Sequence, residues 1–307
     1  MKIFPERVVL ELTPMCNLSC FMCPRHYIED TEGFMDEALY KKLVDEVAIE
    51  NPQAIILPFW RGESCMHPKF KDMLRYTLEK GMRVHLSTNG HFLDDEFMNI
   101  FFKCEFVTFS LHDNRGYKNA KKFLKAKPSW SSVTIQVSFV DVERSTQKFL
   151  QECTSEQGLN GFDSVRLYAE HTIEGEFGKS GLESDAERIF CPKLEDSLVV
   201  SADGQISRCN HIWEMETVGD LVNSTIKEVW HGERINEIRC EYPDVKCSPC
   251  DQWAGHTKGE AWRKTEDGKV NHVVYSNISS LCETPKADAS FFIYMSDFQN
   301  LKSCLNH

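Results

Sequence analysis

Six short runs of β-branched and aromatic residues, separated by amphipathic helical stretches, constrain this chain more than any other feature. The runs cover residues 7–13, 54–59, 83–88, 106–111, 133–140 and 164–169. Between the second and third, Phe70, Met73, Leu74, Thr77 and Leu78 recur at the spacing of one helix face and stop at Gly81. Leu39, Leu43, Val44 and Val47 make a second stripe after Asp36, and Phe97, Ile100 and Phe101 a third after Asp94. Neighbouring parallel strands need a long crossover, and a helix is the usual one. The expected fold is therefore α/β, a partial (β/α)6 TIM-like barrel over residues 1–185.

The pattern changes beyond residue 180. Gly175, Gly178 and Gly181 mark a loose connection, and residues 198–207 read as a β-hairpin turning at Asp203-Gly204. A helix is expected from a Ser224 cap through Ile226, Val229, Trp230, Ile235 and Ile238. This gives a small hairpin-plus-helix domain over 186–257 and a polar, irregular tail over 258–307. A chain of 307 residues, 41% apolar and 27% charged, accommodates both in an ordinary globular composition. Its net charge of −12 argues against a nucleic-acid or anionic-membrane binder. No run approaches the ~20 apolar residues of a membrane span, and residues 1–7 carry no export signal, so a cytoplasmic location is expected.

Thirteen cysteines, an odd number without an export signal, speak against a disulfide framework. Their spacing points to metal. Cys16, Cys20 and Cys23 form CxxxCxxC directly after the first strand, on the rim where such barrels place chemistry. Three thiolates can serve three irons of a cubane [4Fe–4S] cluster and leave the fourth open. A structural zinc site lacking one ligand is the alternative. A second group comprises Cys191 before the hairpin, Cys209 closing it, and Cys247 and Cys250 in a CxxC loop. Four thiolates suit a tetrahedral zinc ion or a fully ligated [4Fe–4S] cluster, and spacing does not choose between them.

The first cysteine motif resembles that of the radical S-adenosylmethionine (radical SAM) enzymes, and further segments match the family in order. Arg61-Gly62-Glu63 resembles the GGE motif after the second strand, with Arg61 in place of the first glycine. Ser87-Thr88-Asn89-Gly90 matches a common turn after the third strand, and Ser110-Leu111-His112-Asp113 resembles the segment after the fourth. The resemblance implies that Met22 lies against the adenine of SAM. It implies that Gly62 and Glu63 meet the methionyl ammonium, and that Ser87, Asn89, Ser110 and Ser138 contribute further contacts. The second cysteine group, with Trp230-His231-Gly232-Glu233-Arg234 and Arg239 between its members, is similar to the SPASM/twitch extension. Without further cysteines over 251–256, the shorter twitch form with one auxiliary [4Fe–4S] cluster is implied.

The family chemistry is a 5′-deoxyadenosyl radical that abstracts a substrate hydrogen, driven by an electron from a donor such as flavodoxin or ferredoxin. Compact size and one auxiliary cluster resemble the 2-deoxy-scyllo-inosamine dehydrogenase-like twitch enzymes. The leading expectation is thus an oxidoreductase that dehydrogenates a small polyol or aminosugar. His211, two residues beyond Cys209, is the candidate base and Arg166 the candidate substrate anchor. Epimerisation, with a thiol such as Cys65 or Cys240 returning hydrogen, is one alternative; a peptide-modifying maturase is the other. Fifteen residues precede Cys16, too few for an N-terminal peptide-recognition domain, which favours a small-molecule substrate over a short peptide.

Overall fold

The computed structural model describes residues 2–29, 32–141, 161–169, 181–184, 187–190, 192–212, 218–241, 256–258, 260–264, 270–274 and 290–294. Six strands, β1 (Arg7–Leu10), β2 (Ile55–Leu57), β3 (Arg83–Thr88), β4 (Phe106–Ser110), β5 (Thr134–Asp141) and β6 (Ser164–Ala169), lie side by side in chain order. Every neighbouring pair is parallel. Helices α1 (Glu37–Glu50), α2 (Phe70–Glu79), α3 (Asp95–Phe101) and α4 (Asn114–Ala126) form the crossovers among the described residues.

Local chemistry sets the helix starts. Asp36 accepts from the backbone N–H groups of Ala38 and Leu39, Asp94 from Phe97, and Asp113 from Gly116, which satisfies first-turn donors that have no intrahelical partner. Tyr40, Leu43, Val44 and Val47 of α1 are buried, as are Phe70, Met73, Leu74 and Thr77 of α2. These faces and the outward side chains of the strands make one apolar core. On β4, Val107 and Phe109 face it, and the Phe109 ring lies 5.3 Å from Phe123 of α4. Alternation then turns Thr108 and Ser110 to the opposite, concave face.

The sheet continues at both edges. Beyond β6, β7 (Gly181–Ser184), β8 (Glu187–Phe190) and a short helix α5 (Pro192–Asp196) lead to β9 (Ser197–Val200), which pairs parallel with β1. β10 (Ile206–Ser207) folds back antiparallel on β9. The predicted turn is where the sequence placed it. Gly204 has φ +87°, and its N–H reaches Ser201 O at 2.9 Å. The predicted hairpin is thus an extension of the barrel sheet and not a separate layer.

The predicted helix is two helices, α6 (Ile226–Trp230) and α7 (Glu233–Glu241), interrupted at His231-Gly232. Its cap is Thr225, one residue beyond the predicted Ser224. Thr225 and Glu228 cap each other reciprocally. Glu46 of α1 accepts from the N–H groups of Ile226 and Lys227, and Lys42 donates to Leu221, Val222 and Ser224 carbonyls. The C-terminal part is therefore docked on α1. Arg239 donates to Trp230 O at 2.9 Å and lies 4.1 Å from the Trp230 ring centroid.

The tail is more regular than its composition suggested. β11 (His256–Lys258) pairs with β8, β12 (Glu260–Lys264) pairs with β7 and with β13 (Val270–Val274), and β14 (Ser290–Tyr294) adds antiparallel to β6. The apolar run over residues 291–294 makes up most of this edge strand. Among the described residues no helix is long and apolar enough to cross a membrane.

Candidate active site

The cysteine loop leaves β1 through buried Glu11, Leu12 and Thr13. Thr13 pins both ends of it: its Oγ1 donates to Gly33 O at 2.6 Å and accepts from Met15 N–H at 3.1 Å. Inside the loop, Cys23 N–H donates to Cys20 O and Leu18 N–H approaches Cys16 Sγ at 3.5 Å. Arg25 reaches back to the Pro14 and Leu18 carbonyls. Cys16, Cys20 and Cys23 are all free and half-buried, and Met22 is likewise half-buried between the last two. Burial raises the pKa of all three thiols. Cys20 is pushed up to about 11, by burial first and then by the neighbouring Cys23 and Cys16.

The loop after β2 packs directly against this one. A Cβ on Gly62 would sit 2.3 Å from Thr13 O and 2.4 Å from Met15 O, so no side chain fits. Glu63 N–H donates to Met15 O at 2.8 Å. Its carboxylate, 3% exposed, accepts from Cys65 N–H, from Thr88 Oγ1 at 2.9 Å and from Asn89 N–H at 2.7 Å. Glu63 thus ties the second rim loop to the third. Asn89 completes the circuit: its Nδ2 donates to Asn17 Oδ1 at 2.8 Å and lies 3.9 Å from Cys16 Sγ. His91, bonded to both Asn17 and Asp113, extends the network to the fourth loop.

The remaining predicted residues line up across the concave face. Ser110 is registered with Ser138, and Ser138 with Arg166. One step earlier, Thr108, Gln136 and Ser164 form a hydrogen-bonded row. Ser138 is buried, and Ser110 Oγ is 3.1 Å from His112 Nε2. Ser87, one residue before the end of β3, is registered with Thr108 and half-buried. Over β1, β2 and β9 the concave face carries Val9, Leu57 and Val199, but over β4 and β5 it is polar where the opposite face is apolar. That is the inverse of a filled barrel interior and suits a bound polar ligand.

Only part of the second cysteine group can be placed. Cys209 is half-buried just past β10, and His211 N–H points to its Sγ at 3.5 Å. Cys191, Cys247 and Cys250 lie outside the described residues. His211 Nε2 accepts from Lys193 Nζ at 2.5 Å. Of the two candidate thiols, Cys65 is packed against the core with its Sγ 3.6 Å from Thr88 Oγ1, and Cys240 is exposed on α7.

Sequence reasoning missed a buried ion pair. Arg61, expected to be a neutral replacement of a glycine, inserts its guanidinium against Glu11 with two 2.6 Å bonds. Their side chains are 1% and 0% exposed. Two residues of opposite charge in a strand exit and a loop fifty positions apart give no local signal.

A family model for the radical SAM superfamily matches residues 10–134, the segment that carries the whole rim network. Residues 10–134 form a radical SAM superfamily domain. A second model, the SPASM iron–sulfur cluster-binding domain, matches residues 191–251. Together they imply a SAM-binding [4Fe–4S] cluster and an auxiliary cluster. The chain is 41% identical over 90 residues to the tungsten-containing aldehyde ferredoxin oxidoreductase cofactor-modifying protein of Pyrococcus furiosus; the match covers 29% of this chain and 25% of that one. It is 36% identical over 95 residues to the AdoMet-dependent heme synthase of Methanosarcina barkeri, covering 30% and 26%. The matched segment thus spans about a quarter of each curated relative. Among solved structures, BtrN in complex with AdoMet and 2-DOIA superposes with a TM-score of 0.60 at 17% identity, over 82% of this chain and 95% of that one. Streptococcus suis SuiB bound to precursor peptide SuiA gives 0.61 at 13%, over 80% and 70%.

The described residues fit the cluster implied at the first loop. Three half-buried thiols, kept protonated chiefly by burial, are a donor set that gives up its protons when a cation binds. Among the described residues no three His, Cys, Asp or Glu side chains converge on one point, as a single metal ion would need. A cubane takes one iron per thiolate and asks for wider spacing. At Cys209, a backbone N–H directed at sulfur is the kind of contact that tunes an iron–sulfur cluster.

Proposed function

We propose that this protein oxidises a small polyol or aminosugar at one carbinol carbon, removing two hydrogens. When bound, SAM and the two clusters supply a radical that takes the carbon-bound hydrogen atom and an acceptor for the remaining electron. Everything else falls to the chain. Cys16, Cys20 and Cys23 hold the first cluster, and Cys191, Cys209, Cys247 and Cys250 the auxiliary one. Met22, Gly62, Glu63, Ser87, Asn89, Ser110 and Ser138 cradle SAM. Arg166 anchors the substrate through a hydroxyl or anionic group. His211 takes the hydroxyl proton, exchanging its Lys193 partner for the substrate hydroxyl.

The observation that carries this reading is the polar concave face over β4 and β5. Ser110 and Ser138, and the row of Thr108, Gln136 and Ser164, offer hydroxyls and an amide to a ligand rich in hydroxyls. The likeness to BtrN over most of the chain, in a structure solved with AdoMet and 2-DOIA, supports it. The likeness to SuiB with its precursor peptide keeps peptide modification as the second reading.

Turnover with candidate cyclitols and aminosugars tests the proposal. One SAM should be consumed and one 5′-deoxyadenosine released per turnover. The product should be two hydrogens lighter, with deuterium from the attacked carbon recovered in 5′-deoxyadenosine. A product of unchanged mass in H2O that gains a solvent deuteron in D2O would instead establish epimerisation.

A further inference from the structure

The residue just before the Glu63 loop reaches across to the second cysteine group. Trp60 Nε1–H donates to Asn210 O at 2.8 Å, and Asn210 is the neighbour of Cys209. The Trp60 ring packs beside Val9, Leu57 and Val199, one registered row across β2, β1 and β9. The Arg61 guanidinium covers the ring at 4.5 Å. Arg61 is fixed in turn by the two-pronged bond to Glu11, whose Oε2 also accepts from Ala202 N–H in the hairpin turn at 3.2 Å. One buried group of three side chains therefore touches the exit of β1, the rim loop bearing Gly62 and Glu63, the hairpin turn, and the carbonyl beside Cys209.

A buried ion pair is a poor choice for stability alone, because removing both charges from water cancels most of their attraction. What a planar two-pronged pair does well is fix an orientation. We infer that Trp60 is a positioning residue for the auxiliary-cluster loop, with Arg61 and Glu11 locking its ring. Together they hold Cys209 at a set distance and angle from the loop that meets SAM. The inference rests on the proposal that Cys209 is an auxiliary-cluster ligand.

Trp60→Phe keeps the ring and deletes the N–H. Arg61→Lys keeps the charge and deletes the fork, and it serves if the first variant folds poorly. Each is compared with wild type as anaerobically reconstituted full-length protein. The readouts are a redox titration followed by electron paramagnetic resonance and the rate of iron loss to a ferrous chelator. The SAM cluster is recognised by the change in its signal on adding SAM. The expected result is a displaced midpoint potential for the auxiliary cluster and roughly tenfold faster loss of its iron, with the SAM cluster unchanged. Unchanged potential and loss, or equal loosening of both clusters, would overturn the positioning role. Wild-type protein that holds iron only at the SAM cluster would sink the ligand assignment of Cys209, and this inference with it.

Discussion

The two cysteine loops of this protein are both shaped by short-range bonds, among them Ser207 to Cys209 O and His211 N–H to Cys209 Sγ, and differ in what braces them from outside. The Cys16–Cys23 loop is shaped by bonds within itself, between Cys23 and Cys20, Leu18 and Cys16, and Arg25 and Pro14, and is then clamped by the neighbouring rim loops. The turn at Cys209 takes its outside support from Trp60, 150 positions away, while Glu11 holds the hairpin turn at Ala202, 191 positions away. The first loop is braced by several neighbouring rim loops at once, so the loss of one hydrogen bond leaves most of its frame standing. A loop held from afar takes its geometry from the body it leans on, which makes it adjustable by single substitutions elsewhere.

The sharpest break of that contrast is at Gly62. In Gly62→Ala the new Cβ would overlap Thr13 and Met15 carbonyls that have no room to retreat. This exceeds ordinary overpacking of ~1–3 kcal/mol. Iron at the first cluster and SAM cleavage should both be lost while the auxiliary iron stays. Full iron retention by this variant would mean that the two rim loops are not mutually locked.

Next in size is the buried pair. Glu11→Ala strands the Arg61 charge in the interior and should lower stability by about 3–5 kcal/mol in chemical denaturation. The double variant Glu11→Leu/Arg61→Met should recover most of that, because neither charge then needs desolvating. A double variant as unstable as the single one would show that packing and not charge is the issue.

How much of this was legible in advance follows the same division. Strands β1 to β6, helices α1 to α3 and the rim residues Cys16, Gly62, Glu63 and Asn89 were readable because each rests on a local pattern: strand alternation, helical spacing, an Asp cap, a short motif. The hairpin turn at Gly204 was readable for the same reason. The Arg61–Glu11 pair, the Trp60–Asn210 bond and the seating of β9 beside β1 were not, since each joins distant segments with no mark in either. The break at His231-Gly232 did leave a mark, since the five-residue step from Trp230 to Ile235 takes the apolar face out of helical phase. The strand at Ser290–Tyr294 was missed because an edge strand takes its register from β6 and not from itself.

A smaller effect is expected at Asn89. Asn89→Ala removes the donor to Asn17 and the amide near Cys16 Sγ but leaves the fold intact. SAM cleavage should fall roughly tenfold, with an altered signal for the first cluster and full iron content. An unchanged signal would place Asn89 outside the sphere of the cluster.

The smallest effect is one of pH. Burial and the neighbouring thiols raise Cys20 to about 11, so at neutral pH its reactive thiolate is scarce in the apoprotein. Alkylation at Cys20 should rise roughly tenfold per pH unit above neutrality, with no plateau below about pH 11. Iron loading, which releases those protons, should also improve as pH rises. A plateau near pH 8 would show that neither burial nor the neighbouring thiols raise Cys20.

The central claim, two clusters held by two differently supported loops, is tested most directly by counting. Protein isolated and reconstituted without oxygen should carry about eight irons per chain with matching sulfide, four for each cubane cluster. Replacing Cys16, Cys20 and Cys23 with Ala should halve that number and abolish SAM cleavage, with the remaining iron fully ligated and indifferent to added SAM. One zinc and four irons per chain in the wild type would contradict the account.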